Sequence, residues 1–230
     1  MNSTAFRFST GVFLLWQTAF TTFGQGAFQN LDFESATVPP LPAGQYGGSV
    51  PISDGLPHWS GFLGADEVTE VLHNNFTLGT PSLSILGPDC TFSSIPEGSY
   101  AALLQPGPGP GGVAVDASLS QIGTIPTSAE SLRFTTGLGT HFMSVSFGSQ
   151  TLPVTLLSTS PLVVYGVDIS SFAGSTDQLK ITALYNVLDN HYVVLDSITF
   201  SDQPIPEPSA FGLLALGGLL LGWRFRHKRQ

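Results

Sequence analysis

The chain has little positive charge between its two ends. Of its seven Lys and Arg residues, only Arg133 and Lys180 lie between positions 8 and 223, whereas fifteen acidic residues lie from Asp32 to Asp202. A surface of this charge repels nucleic acid and anionic lipid. We therefore exclude nucleic acid as a partner. The acidity either attracts divalent cations or only keeps the protein soluble.

Cysteine and catalytic motifs are also scarce. Cys90 is the single cysteine, so an intramolecular disulfide is excluded and stability depends on the core or on bound metal. The sequence has no G-x-S-x-G or H-E-x-x-H motif, and no motif singles out the pair of carboxylates that a glycosidase needs. The histidines lack metal-ligand spacing: His58, His73, His141 and His191. We predict that the protein is not an enzyme.

The C-terminal tail carries a long apolar run. Ser209–Trp223 contains no charged residue, and as a helix these positions span about 22 Å against a hydrocarbon core of roughly 30 Å. Flanking side chains can make up the difference by snorkelling, which predicts one transmembrane helix at about 209–225. The basic residues behind it would lie in the cytoplasm: Arg224, Arg226, Lys228 and Arg229.

A short proline motif precedes that helix. Pro206 and Pro208 flank Glu207, and because proline fixes φ and lacks an amide proton, the tripeptide should stay extended outside the membrane. An extended tripeptide suits recognition by a processing enzyme. It would equally end the linker of a plain membrane anchor.

The tripeptide, the Gly/Leu-rich span and the basic terminus resemble, in this order, the PEP-CTERM sorting domain of Gram-negative bacteria. The resemblance covers Ile205 to Arg229, within a predicted sorting segment at 204–230. It implies that exosortase, a membrane transpeptidase, recognises Pro206, Glu207 and Pro208 and removes the tail. It also implies an association with exopolysaccharide. The precursor would lie in the inner membrane and the mature protein at the cell surface or in the extracellular matrix.

The N-terminus is typical of a secretory signal peptide. Arg7 precedes an apolar stretch from Phe8 to Phe23, and Gly24 and Gly26 are small enough for cleavage, which predicts a signal peptide at 1–26. Polar residues interrupt the stretch and disfavour a first transmembrane helix. Both ends therefore indicate export.

The body, residues 27–203, reads as one domain of short strands separated by Gly, Pro, Ser and Asp. We predict an all-β sandwich with these strands: Phe28–Phe33, Ser99–Leu104, Ala117–Ile122, Ser131–Thr135, Phe142–Phe147, Leu152–Leu157, Leu162–Val167, Leu179–Ala183 and Tyr192–Phe200. Residues 65–76 fit either a short helix or a strand with its loop. The PGPGPGG stretch at 106–112 predicts a flexible excursion between two strands.

A second resemblance covers most of the body. NLDFE at 30–34, LPHW at 56–59 and LDSITF at 195–200 are similar to the pattern of carbohydrate-binding jelly rolls and galactose-binding-like domains. The resemblance implies a jelly-roll fold with a structural calcium held by Glu34 and Asp196. The sequence departs from the pattern at Leu31, at His58, where glycine is usual, and at Ser197. The other reading is a pair of solvated carboxylates.

These features predict an exported surface or matrix protein with a structural or adhesive role and glycan contact. The aromatic candidates for stacking on sugars are Trp59, Tyr46, Tyr100 and Tyr185, chosen by residue type alone. The alternatives are a secreted polysaccharide hydrolase or lyase and a plain membrane-anchored periplasmic protein.

Overall fold

The structure, a computed structural model, describes residues 27–137, 142–188 and 191–206. Its strands are β1 (Gly48–Pro51), β2 (Ser60–Leu63), β3 (Asp66–Val68), β4 (Glu70–His73), β5 (Ser82–Leu86), β6 (Ala101–Gln105), β7 (Gly107–Pro108), β8 (Ala114–Val115), β9 (Ala117–Thr124), β10 (Ser131–Thr136), β11 (Met143–Phe147), β12 (Gln150–Leu152), β13 (Thr155–Ser158), β14 (Val163–Asp168), β15 (Thr176–Ala183) and β16 (Val193–Ser201). The helices are α1 (Ile52–Gly55) and two 3₁₀ turns, Pro110–Gly112 and Ser170–Phe172. Within these ranges no helix is long and apolar enough to cross a membrane.

All of these strands except β7 and β8 form two packed sheets. The larger has the order β1-β4-β5-β6-β16-β10-β14-β13, and the smaller has the order β12-β11-β15-β9-β2-β3. All pairs within them are antiparallel except β4 with β5. In the interior, β5 and β6 of the larger sheet contact β9 of the smaller one. The body is therefore an all-β sandwich, as the strand pattern predicts.

The core lies between the sheets and follows strand alternation. On β9, Ala117 and Leu119 point inward into the buried cluster, whereas Ser118 and Ser120 face outward. The facing strands contribute Leu104 and Leu132 to the same cluster, both fully buried. Burial of apolar surface of this kind stabilises a domain at roughly 25 cal/mol per Å². The body therefore has a core of its own.

The larger sheet is also covered on its outer side. β5 and β6 are buried at every position, because Leu86, Leu103 and Val194 form a second apolar cluster there. The residues that pack over this cluster come from loops and from the position just before β16: Phe76, Cys90, Phe92, Ile95 and Tyr192. Strands buried on both faces read as continuous apolar runs rather than as alternating ones. The sequence pattern of AALLQ in β6 follows from this double burial.

Most predicted strands are confirmed, with ends shifted by a few residues. The predicted strand at 152–157 is instead two short strands, because β12 ends at Leu152 and Pro153 separates it from β13. Residues 65–76 contain β3 and β4 rather than a helix. The predicted excursion at 106–112 carries β7 and a 3₁₀ turn, and β7 pairs with β8 in a small ribbon.

The predicted strand Phe28–Phe33 is wrong. Ala27 makes a single bridge with Thr124, and the chain then turns, with positive φ at Asn30 (50°) and Phe33 (60°). Phe28 and Phe33 are buried as the apolar pattern suggests, but they reach the core from a turn. Alternation of apolar residues reports which side chains are buried and leaves the backbone conformation open.

Both ends of the body lie at one end of the sandwich. Ala27 bridges Thr124, the last residue of β9, while Ser201, the last residue of β16, pairs with Ser131, the first residue of β10. Only residues 125–130 separate β9 from β10. The exit of the chain toward the sorting segment is therefore close to the entry from the predicted signal peptide.

Candidate functional site

Glu34 and Asp196, far apart in sequence, line the same pocket. The cavity has a volume of about 230 Å³, and its other lining residues come from the turn after Ala27, from the segment before β6 and from β16: Asp32, Glu97, Gly98 and Ser197. The two candidate ligands are thus brought together, with two further carboxylates beside them. Sequence reasoning did not assign a role to Asp32, although it lies in the NLDFE stretch, and it missed Glu97, which stands in no motif.

Glu34 fastens the N-terminal turn to the start of β6. Its Oε1 atom accepts hydrogen bonds from the backbone N–H groups of Ser99 (2.7 Å) and Tyr100 (2.9 Å). The carboxylate lies so close to Gly98 that a Cβ atom at that position would collide with it, and Gly98 has a φ of 63°. Glycine is therefore required at 98 both for space and for backbone conformation. Glu34 Oε2 is the oxygen that these two bonds leave available.

Asp196 is a buried carboxylate in the middle of β16, with 1% of its surface exposed. Its Oδ2 accepts from the Glu97 N–H at 3.0 Å and its Oδ1 from the Ser197 N–H at 2.6 Å. Burial raises the pKa of Asp196 to about 6; these two hydrogen bonds oppose the rise, and the charges of Glu97 and Glu34 add to it. A cation placed between these carboxylates would reverse this repulsion.

The oxygen atoms that line this pocket are the type of ligand that a hard cation such as calcium prefers. Calcium takes six to eight oxygen ligands, and the pocket offers carboxylate oxygens and backbone around Asp196. Across the described residues, however, no three His, Cys, Asp or Glu side chains are grouped so that they could hold a metal ion. A calcium here would therefore rest on Glu34 and Asp196 with backbone carbonyls, as the family resemblance implies.

The other residues of the second resemblance form one structural unit next to this pocket. Asn30 donates from Nδ2 to the Pro57 carbonyl (3.0 Å), and its own carbonyl accepts from the Trp59 indole (2.9 Å). Trp59 is 4% exposed and packs against Phe33 with ring centroids 5.7 Å apart. His58 has a φ of 71°, the region that favours glycine, which explains why glycine is usual before the tryptophan.

Of the four aromatic candidates for sugar stacking, Trp59 is too deeply buried to contact a sugar. That side chain belongs to the core, and Tyr100 packs against the same cluster. Tyr185 is half-buried, and its backbone N–H donates to Asp116 Oδ1 (2.7 Å). Tyr46 alone of the four is highly exposed, at 83%.

The outer face of the smaller sheet has a different character. Ser118 and Ser120, each only 2% exposed, lie among half-buried Phe62, Lys180 and Thr182 on the paired strands β2 and β15, and Ser120 Oγ accepts from Gln178 Nε2 at 3.2 Å. The Lys180 ammonium stands 5.4 Å from the centroid of the Phe62 ring. Ile122, at the end of this row, is 63% exposed. We call this surface, residues 62, 118, 120, 122, 180 and 182, the open face.

Cys90 and two of the histidines that the structure describes, His73 and His191, are partly or fully buried. Cys90 is half-buried and packs against the outer apolar cluster. Burial lowers the pKa of His73, an effect that the nearby charge of Asp89 partly opposes. His191 is buried beside Phe142, with ring centroids 5.3 Å apart.

The sorting segment begins directly after the sandwich. β16 ends at Ser201, and Pro206 is exposed. The rest of the predicted motif, Glu207 and Pro208, lies outside the described residues, as do the predicted signal peptide at 1–26, the transmembrane span at 209–225 and the basic residues Arg224, Arg226, Lys228 and Arg229.

Residues 204–229 match the PEP-CTERM protein-sorting motif. No curated protein and no solved structure matches the chain. The chain therefore carries a PEP-CTERM sorting motif, which implies processing by exosortase and export to the cell envelope or surface.

Proposed function

We propose that this protein is an exported structural or adhesive component of the cell surface or extracellular matrix, made of a jelly-roll sandwich that exosortase releases from a membrane-anchored precursor. The observation that carries the proposal is the position of the sorting motif, which starts at residue 204, three residues after β16 ends at Ser201. In this arrangement the folded domain is the part that is exported, and the segment after it is the sorting signal. The body supplies the surface function and the segment supplies delivery.

The test is the intact mass and C-terminal peptide of the mature protein purified from its native cells. We expect wild-type protein to lack everything after the proline motif, and Glu207→Ala to keep the tail. Glu130→Ala, which removes an exposed acidic side chain from the sandwich, is the matched control and should be processed normally. Wild-type protein that ends at Gln230 would refute processing and favour a plain membrane-anchored periplasmic protein.

Contact with glycans is the second part of the proposal, and the open face supports it. Sugar rings stack on aromatic side chains and their hydroxyls bond to polar groups, and the open face offers half-buried Phe62 and Thr182 at its surface. Co-sedimentation of the full chain with neutral and acidic polysaccharides tests this.

In that experiment Phe62→Ala should weaken binding several-fold, whereas Tyr46→Ala, at the exposed aromatic outside the open face, should leave it unchanged. The reverse result would move the binding surface to Tyr46. Depolymerisation of any polysaccharide by wild-type protein would instead favour a hydrolase or lyase, which the absence of catalytic motifs disfavours.

A structural calcium is the third part. Glu34 and Asp196 would hold it, and the cation would stabilise the contact between the N-terminal turn, the segment before β6, and β16. At saturating calcium the stabilisation should reach about 2–3 kcal/mol, which corresponds to a rise in Tm of about 5–10 °C for a domain of this size. The measurement is thermal unfolding of the full chain at pH 7.5 in EGTA, calcium or magnesium.

Glu34→Gln keeps an oxygen for the Ser99 and Tyr100 amides but removes the charge, so it should abolish the response to calcium. Glu67→Gln, at an exposed position on β3, is the matched control and should respond like wild type. Equal Tm values with and without calcium would leave Glu34 and Asp196 as carboxylates that only hold the turn in place.

A further inference from the structure

The residues that join the sandwich to the sorting tripeptide are held on the outer face of the larger sheet. Ser131 Oγ donates to the carbonyl of Gln203 at 2.6 Å. Arg133 Nη2 donates to the same carbonyl at 3.2 Å and approaches the Pro204 carbonyl at 3.5 Å. Arg133 Nε also donates to Ser131 Oγ at 3.1 Å, so the two side chains on β10 act together.

An apolar contact continues this attachment by one residue. A Cβ atom built on Gly166 would lie 2.6 Å from Ile205 Cδ1 and 2.7 Å from Leu157 Cδ1. Glycine at 166 in β14 therefore leaves a notch that Ile205 and Leu157 fill together. We call Ser131, Arg133, Leu157 and Gly166 the linker-docking site, and Gln203–Ile205 the linker.

The use of Arg133 is notable because positive charge is rare in the body. It is one of two basic residues between Arg7 and Arg224, and its partners here are backbone carbonyls. The guanidinium carries five N–H donors in a fixed geometry, which suits several acceptors at once. Prolines at 204 and 206 have no amide protons, so the linker is held through its carbonyls and the Ile205 side chain.

Docking shortens the free chain ahead of the predicted membrane segment. From Ile205 to Ser209 there are four peptide steps, which reach at most about 14 Å. An enzyme that cleaves near Pro206–Pro208 must bind chain on both sides of the cleaved bond, and access to a backbone falls with its burial and hydrogen bonding. The docked residues lie immediately on the N-terminal side of the tripeptide. Gln203 and Pro204 are exposed and Ile205 is half-buried, so the hydrogen bonds to the two carbonyls and the Ile205 contact, rather than burial, restrict this chain.

We propose that the linker-docking site controls access to the sorting motif, with Arg133 as the positioning residue that keeps Gln203–Ile205 on the sandwich until processing begins. This inference rests on the proposed processing of the tail. It predicts that release of the linker speeds conversion of precursor to mature protein, because more extended chain becomes available to the enzyme.

The contact itself is tested by methyl NMR of the full chain in detergent micelles. A nuclear Overhauser effect between the Ile205 and Leu157 δ methyl groups is expected in wild type and in Lys180→Ala, the matched loss of the other basic residue of the body. It should disappear in Arg133→Ala and decrease less in Arg133→Lys, which keeps one donor group. Its absence from wild type would overturn the docking.

The effect on processing is tested by pulse-chase in native cells. The precursors of Arg133→Ala and Ile205→Ser should each be converted at least threefold faster than wild-type precursor. Ile205 lies outside the strands, so its replacement leaves every strand residue unchanged. The Lys180→Ala precursor should be converted at the wild-type rate. An unchanged or slower rate in Ile205→Ser would overturn the control of access. If wild-type precursor is never converted, the sorting proposal fails instead, and the methyl contact alone decides whether the linker docks.

Discussion

The two outer faces of the sandwich are built from the same kind of strand and are used differently. On the larger sheet, Leu103 and Val194 point outward and are buried under Phe76 and Phe92. On the smaller sheet, the corresponding outward positions carry serine, threonine and Lys180, and Ile122 is largely exposed. One face is therefore a second core, whereas the other has half-buried Phe62, Lys180 and Thr182 and exposed Ile122 at its surface.

The difference between the two faces indicates that residues important for stability and residues available for binding lie on different sides of the sandwich. Apolar side chains on an outward strand position require a cover, and the loops that provide it are then fixed by packing. Asp196 lies beneath the same loops, since its carboxylate bonds to the Glu97 N–H. The linker occupies part of the same face through Ser131 and Arg133. Changes on the covered face should therefore affect folding and processing, whereas changes on the open face should affect binding.

Equal truncations on the two faces give the largest contrast. Phe92→Ala should destabilise the body by about 2–3 kcal/mol, because Phe92 packs on Phe76 (centroids 4.7 Å apart) over the outer cluster. Phe62→Ala removes the same atoms from the half-buried open face and should cost less than about 1 kcal/mol. Urea unfolding of the full chain measures both. Similar losses in the two variants would show that the open face also carries structural packing.

The Asp196 carboxylate should make the stability of the body depend on pH. The folded-state pKa of Asp196, about 6, lies above its ordinary value of 3.8, so the folded state holds this proton more tightly. The contribution of Asp196 is thus fully favourable below about pH 4 and is lost as pH rises to 6, by about 3 kcal/mol in calcium-free buffer.

Asp196→Asn isolates this effect. Its amide oxygen can accept only one of the two N–H groups that bond to Asp196, so the variant should be less stable than wild type at pH 4 by about 1 kcal/mol. At pH 7.5 in EGTA it should be the more stable protein. Denaturant unfolding from pH 4 to 8 locates the crossing; parallel curves would mean that Asp196 titrates like an exposed carboxylate.

Much of the covered face was beyond sequence reasoning. Alternation predicts β9 and β15, because one side of each strand is apolar and the other polar. β5 (SLSIL) also alternates over its first four residues but is not among the predicted strands, and its alternation does not reveal that the serine side is buried as well. The cover itself comes from residues distant in sequence, such as Phe76 and Phe92. Local pattern carries no information about such tertiary pairing.

The sequence predicted the candidate site only in part. The resemblance paired Glu34 with Asp196, and the structure brings both to one pocket. It could not indicate Glu97, which reaches the pocket through an irregular segment, or the positive φ of Ser197 (46°) that follows the buried aspartate. The role of Arg133 depends on strand register, which brings β10 next to the end of β16.

The smallest contrast between the faces concerns two threonines. Thr135 points outward from β10, opposite Asp196, because its neighbour Phe134 is in the core; it is 6% exposed, and its Oγ1 has no hydrogen-bond partner within the described ranges. A buried hydroxyl without a partner costs about 1–3 kcal/mol, and valine has the same shape without that cost. Thr135→Val should therefore stabilise the body by about 1 kcal/mol.

Thr182→Val, at a half-buried position on the open face, should change stability by less than about 0.5 kcal/mol. Urea unfolding at pH 7.5 resolves the two, and destabilisation by Thr135→Val would mean that the hydroxyl holds an ordered water beneath the cover.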